Sequence, residues 1–215
     1  MNLFLKGLVQ IMKKRQFNLF TRFIVHGLKV YLKILNSTVN FNIDGLEKLK
    51  NHQMVGYWHG DSLSMELFLS HIKNIGEINV IVTADKRGDY IEQVINDYKA
   101  NGIRLPDGMN MRPFFRELIE YGKCSKGILA ASLDGPLGPF HEPKKLLFLL
   151  AERSHKELIY MDFTYERVLH LKKRWDNYGI LFPFSKVNVK IESMGIITKK
   201  DLNQFNIIKE KLRFS

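Results

Sequence analysis

The sequence predicts an α/β fold, with a mostly parallel central sheet flanked by helices and a basic amphipathic helical segment ahead of it. Two observations carry that prediction. Apolar or β-branched runs alternate with segments of helical period, as where Ile78-Asn79-Val80-Ile81-Val82 is followed by Tyr90 to Asn101 with Ile91, Val94, Ile95 and Tyr98. Several runs also end in polar or glycine-rich stretches, notably Trp58-His59-Gly60-Asp61 and Asp134-Gly135-Pro136-Leu137-Gly138-Pro139. In a parallel sheet, ligands bind beyond such strand ends. At 215 residues, 45% of them hydrophobic, the chain suffices for one well-buried core. Residues 37–215 therefore read as a single α/β domain behind a helical segment, residues 1–36.

That first segment is both basic and apolar. Lys6, Lys13, Lys14, Arg15, Arg22, Lys29 and Lys33 precede the first acid, Asp44, with Leu, Ile, Val and Phe between them. Its uncharged stretches are too short to cross a bilayer, and basic residues interrupt it as they do not interrupt a signal peptide. The composition suits helices lying in a membrane interface, with apolar faces among lipid tails and lysines over anionic headgroups. The plainer alternative is that Phe20 to Leu35 is an amphipathic core helix with a wet basic face.

Thr38 to Asp44 alternates with the period of a strand, and Met54 to Trp58 is a buried strand that ends at His59 and Gly60. Asp61 or Ser62 can cap the helix behind it, which carries Leu63, Leu67, Phe68 and Ile72 on its apolar side. After the strand at Ile78 to Val82, Thr83 to Asp89 reads as an exit loop. Ile103 to Leu105 reads as a short strand, Pro113 to Tyr121 as a helix with proline in its first turn, and Ile128 to Leu133 as another buried strand. A helix over Lys144 to Arg153, strands at Leu158 to Phe163 and Val187 to Ile191, and a helix over Asp201 to Leu212 complete the chain. Lys172 to Asp176 and Phe182 to Ser185 read as a loop of aromatic and basic residues.

The net charge of +11 implies an anionic partner: an acidic membrane surface, a phosphorylated substrate, an acidic carrier protein or nucleic acid. No nucleic-acid-binding module is recognisable, and the basic arm is greasier than such an arm in water. There is no Cys cluster or His-Glu-x-x-His helix for a metal, and no glycine-rich phosphate loop for a nucleotide. The single cysteine, Cys124, forms no intrachain disulfide.

The residues best suited to chemistry lie at strand ends. A neutral imidazole such as His59 removes a proton from a hydroxyl near neutral pH, provided its other ring nitrogen is held by a carboxylate or carbonyl. Asp134 ranks first for that orienting role, with Asp61 and Glu66 close behind. Arg87, Arg104 and Arg112 offer forks suited to phosphate, and Lys86, Lys144 and Lys145 add less directional charge. Gly135, Pro136 and Gly138 fix the shape of a loop beside them.

Together, Tyr57-Trp58-His59-Gly60, the block Thr83 to Ile91, Asp134 to Pro139, and Arg174-Trp175-Asp176 followed by Phe182-Pro183-Phe184-Ser185 resemble the glycerolipid and lysophospholipid acyltransferase superfamily. The likeness is to its little-characterised bacterial branch and spans roughly residues 20 to 195. It implies an acyltransferase-like domain that moves a fatty acyl group from acyl-coenzyme A or acyl carrier protein to a hydroxyl or amine of a membrane lipid. It further implies a peripheral place on the cytoplasmic face of the inner membrane, with neither a metal nor a permanently bound cofactor. His59 matches the family's general base. The aspartate that the family places five positions later falls here on Ser64, a departure that leaves the partner of the imidazole to be found elsewhere, Asp134 being the nearest replacement. The family's phosphate-binding basic residue has its nearest counterparts in Arg104 and Arg112. Ser64 also motivates an alternative, a catalytically inactive lipid or acyl-carrier binding protein.

Overall fold

The computed structural model describes residues 19–72, 74–83, 86–105 and 111–213. Seven strands form one sheet: β1 (Asn40–Asp44), β2 (Met54–Tyr57), β3 (Ile78–Thr83), β4 (Ala100–Leu105), β5 (Ile128–Ser132), β6 (Glu157–His170) and β7 (Gly179–Ile196), in the order β1-β7-β6-β2-β5-β3-β4. All neighbouring pairs run parallel except β6 and β7. Five of the six pairs are thus parallel, as the sequence suggested, and one antiparallel pair makes the sheet mixed. The exception has a simple cause: residues 171–178 are too few for a parallel crossover, so the chain turns back as a hairpin.

The helices are α1 (Leu19–Thr38), α2 (Ser62–Phe68), α3 (Lys86–Asp97), α4 (Met111–Cys124), α5 (Lys145–Ser154), α6 (Lys199–Asn203) and α7 (Phe205–Arg213). They cover both faces of the sheet. Alternation along β2 sends Val55 and Tyr57 into one core, with residues of α1, α2 and α3, and Met54 and Trp58 into the other, with residues of α4, α5 and α7. Buried on both sides, β2 reads as an unbroken apolar run. Gly56 within it leaves room for Leu133, whose Cδ2 would lie 2.5 Å from a Cβ there and would have to shift.

Three segments differ from their sequence reading. Phe182 to Ser185 lies within β7 as a bulge, because Leu181 pairs with Val168 and Lys186 with Glu166 of β6 on either side of it. Lys86 to Asp89 forms the first turn of α3 instead of a loop, and Gly88 fits there because a Cβ would come 1.9 Å from the Thr83 carbonyl oxygen. The C-terminal helix is two helices, the first opened by a capping box between Thr198 and Asp201.

Helix α1 buries Leu32 and Leu35 in the core that includes Val187 and Val189 of β7, and the Tyr31 hydroxyl donates to the Leu181 carbonyl. Phe23, Val30 and Ile34 remain exposed on its outer side. The part of the basic segment before Leu19 lies outside the described residues. Among the described residues, no helix is long and apolar enough to cross a membrane.

Candidate active site at the carboxyl ends of β2 and β5

The register of the two central strands sets the first contact. Strand β2 pairs with β5 from Met54 opposite Leu129 to Tyr57 opposite Ser132, an offset that brings His59 beside Asp134 just past the strand ends. The His59 backbone N–H donates to Asp134 Oδ1 at 2.9 Å, and its carbonyl accepts from Ser62 Oγ at 2.7 Å. Trp58 anchors the turn from the opposite face: its indole N–H donates to the Tyr160 hydroxyl at 2.8 Å, and His141 stacks on its ring at 4.4 Å. The His59 backbone is thus held on all sides before its ring meets anything.

The carboxylate at the ring is Asp176, from the tip of the β6–β7 hairpin. His59 Nδ1 lies 2.9 Å from Asp176 Oδ2, and Asp176 is wholly buried. Arg174 holds both oxygens of that carboxylate, Nε at 2.9 Å from Oδ1 and a terminal nitrogen at 2.6 Å from Oδ2, in the fork geometry that only guanidinium offers. Burial alone would raise the pKa of Asp176; the bonds and charge of Arg174, followed by His59, outweigh it and hold the carboxyl below its ordinary value. An ionised Asp176 accepts the Nδ1 proton, so Nε2 is the basic nitrogen.

Two glycines let the tip dock here. A Cβ on Gly60 would lie 2.4 Å from the Asp176 carbonyl oxygen. One on Gly138, where φ is +66°, would lie 2.3 Å from Trp175 Cε3. Trp175 in turn packs against the His59 ring, centroids 5.2 Å apart. The tip itself is tight: Leu171 N–H donates to the Tyr178 carbonyl at 2.9 Å, and the Arg174 guanidinium sits over the Tyr178 ring.

His59 and Arg174 open onto a cavity of about 290 Å³ whose walls are mainly aliphatic, including Met65, Leu69, Val80 and Ile95. Gly135 and Pro136 of the proline-glycine loop border it.

The remaining candidates take other places. Asp134 does not orient the imidazole; it holds the backbone of His59, and its second oxygen, Oδ2, is buried without a partner. Asp61 accepts from the Tyr165 hydroxyl at 2.6 Å, and Glu66 lies on the cavity wall. Neither reaches the ring as the expected orienting partner. Ser64, five residues after His59, is buried. Arg104 is engaged by Asp89 at 2.8 Å, by Glu92 and by the Thr83 carbonyl at 3.1 Å, so a phosphate would have to displace two carboxylates. The side chains of Arg87 and Arg112 lie outside the described residues. Lys144 lines a separate polar cleft with Lys145, Phe205 and Lys209. Asp176 and Arg174 were visible in the sequence only as part of a motif, 117 residues from His59 in the case of the aspartate. The Arg-x-Asp spacing inside a connection of eight residues, 171–178, was the available signal.

Asp61 gives a prediction of its own. Burial, and then Asp162 and Asp134, raise its pKa to about 7 against the lowering effect of Tyr165. A carboxyl whose pKa is higher folded than unfolded favours the folded state fully below about pH 4 and loses that contribution as pH rises towards 7. Asp61→Asn, which still accepts from Tyr165, is therefore expected to melt like wild type at pH 4 and to be more stable at pH 8, by about 2 kcal/mol after allowance for screening. Melting curves at the two pH values test it. An equal change at both would place the effect in packing.

Among the described residues, no group of three or more His, Cys, Asp or Glu side chains is arranged to hold a metal ion. No protein-family model, curated protein or solved structure matches the chain.

Proposed function

We propose that the protein transfers a fatty acyl group from a thioester, on coenzyme A or acyl carrier protein, to a hydroxyl or amine of a membrane lipid, with His59 as general base. The observation that supports this best is the chain of bonds Arg174–Asp176–His59 beside an aliphatic cavity. Nε2 removes the acceptor proton as the oxygen or nitrogen attacks the thioester carbon. The C–S bond then breaks, and the imidazolium returns its proton to the leaving thiolate, giving an ester or amide and a free thiol. Gly60 N–H is the candidate donor to the developing oxyanion, since the His59 N–H is taken by Asp134 and the Asp61 N–H by the Trp58 carbonyl. The role that the sequence left open for Asp134 becomes, in this reading, the placement of the His59 backbone.

Membrane contact follows from what borders the site. Leu137 and Phe140 are exposed at the proline-glycine loop, and Phe182 and Phe184 on β7, the strand that follows Lys172 and Lys173. Apolar side chains edged with lysine suit an anionic bilayer, where the lipid acceptor resides, and we place the protein peripherally on a cytoplasmic membrane face. The second reading, an inactive binder of lipid or carrier protein, draws on Ser64; the placement of Asp176 at the imidazole weakens it.

The test is to incubate the purified chain with anionic vesicles of extracted lipid and long-chain acyl thioesters of both donor types. Acylated lipid and free thiol are expected in equal amounts. Thioester binding without transfer to any lipid would establish the binding-protein reading, and failure to sediment with the vesicles would remove the membrane contact.

A further inference from the structure

The cavity beside His59 is mainly aliphatic, and among its described polar lining side chains, which include Tyr57, Ser62, Tyr178 and Arg174, Glu66 is the one carboxyl. Glu66 lies on its wall and has no hydrogen-bond or ion-pair partner among the described residues. Ser62 and Glu66 stand four residues apart on the same side of α2, both facing the cavity. Ser62 is occupied by the His59 carbonyl. Glu66 sits one turn further along the helix, about 6 Å beyond Ser62, and therefore meets the interior of a bound chain, away from its thioester end.

An unbranched alkyl chain would leave this carboxyl covered and unmatched, a cost that a hydrogen-bonding group on the chain would remove. We propose that the cavity takes a hydroxylated acyl chain, and that Glu66 selects it by hydrogen-bonding the hydroxyl. A hydroxyl is the smallest group that both donates and accepts, and it adds little volume to a chain that must still fill an aliphatic pocket. Burial raises the Glu66 carboxyl to about 8, so near neutral pH it is mostly protonated and has both a donor and an acceptor to offer. Tyr57 and Tyr178 line the same cavity, whose aliphatic lining includes Val80 and Val82 of β3 and Ile91 and Ile95 of α3.

This inference rests on the acyl-transfer reading, and the experiment separates the two. The full-length chain is titrated calorimetrically with dodecanoyl-coenzyme A and with derivatives carrying one hydroxyl at successive carbons from the third to the seventh. At least one hydroxylated thioester is expected to bind wild type about tenfold tighter than the plain one, the worth of one well-made hydrogen bond. Glu66→Met, close in size and apolar, is expected to abolish that preference and to bind the plain chain more tightly. Glu66→Gln, whose amide also donates and accepts, keeps part of the preference and serves if the methionine variant does not fold. Binding of the plain chain as tightly as every hydroxylated one, or a preference that survives in Glu66→Met, overturns the assignment of Glu66 and leaves acyl transfer standing. If no thioester binds, both readings fall together.

Discussion

Asparagine in place of Asp176 is expected to lower acyl transfer about 10³- to 10⁴-fold, with the scale set by the loss of a histidine's orienting carboxylate in hydrolase triads. Alanine at His59 is expected to remove transfer altogether. The asparagine variant keeps the size of the side chain and one acceptor. Its amide N–H₂, turned toward His59, stabilises the tautomer with the proton on Nε2, the nitrogen that has to act as base. It also withdraws the negative charge that offsets the imidazolium formed during attack. Arg174 is about half exposed, so it regains water when its partner is neutralised, and the thermal stability of the variant should fall only modestly. Thiol release measured with a saturating donor reads the effect in kcat, with little change in KM. Turnover near wild type in Asp176→Asn would mean that the imidazole is oriented by something else, and the proposed mechanism would lose its basis.

How far this site could be foreseen depended on how local each contact is. His59 and Asp134 were legible because each closes an apolar run, and two parallel strands of matching register bring such ends together. The strands themselves were legible for the same reason, with limits set by tertiary pairing: Phe182 to Ser185 reads as loop, yet pairing of Leu181 and Lys186 with β6 on either side carries it within β7 as a bulge. Asp61 and Glu66 misled by their closeness in sequence. A single turn at His59–Asp61 followed by α2 directs Asp61 to Tyr165 and Glu66 along the cavity wall, and the contact at Nδ1 falls to Asp176. Asp176 was out of reach of local pattern because its approach depends on how far β6 and β7 run past the end of β2. Strand β2 pairs with β6 only as far as Tyr160, and β6 continues to His170 before the chain turns. Arg104 had the side chain for a phosphate site but a neighbourhood that consumes it, since Asp89 and Glu92 on α3 face β4.

The overhanging hairpin makes glycine at position 60 a steric requirement of catalysis, apart from the oxyanion contact proposed for its N–H. Gly60→Ala is expected to reduce kcat about 100-fold, the cost of displacing a reacting group by about 1 Å, and to change thioester binding much less. The added methyl would lie 2.4 Å from the Asp176 carbonyl oxygen, a backbone atom that cannot swing aside like the end of a side chain. Either the tip lifts, and Asp176 leaves Nδ1, or the turn carrying His59 moves; both stretch the 2.9 Å bond. Overpacking of this kind costs about 1–3 kcal/mol of stability, so activity should suffer far more than folding. Gly138→Ala offers an independent route to the same displacement, through the Trp175 ring and a backbone φ of +66°. Gly27→Ala, where a Cβ meets nothing within 4 Å, is the control: it should turn over like wild type and melt no lower, since alanine suits the interior of α1 better than glycine. If Gly60→Ala and Gly138→Ala both keep full turnover, catalysis tolerates an undocked tip, and the arrangement Arg174–Asp176–His59 is structural only.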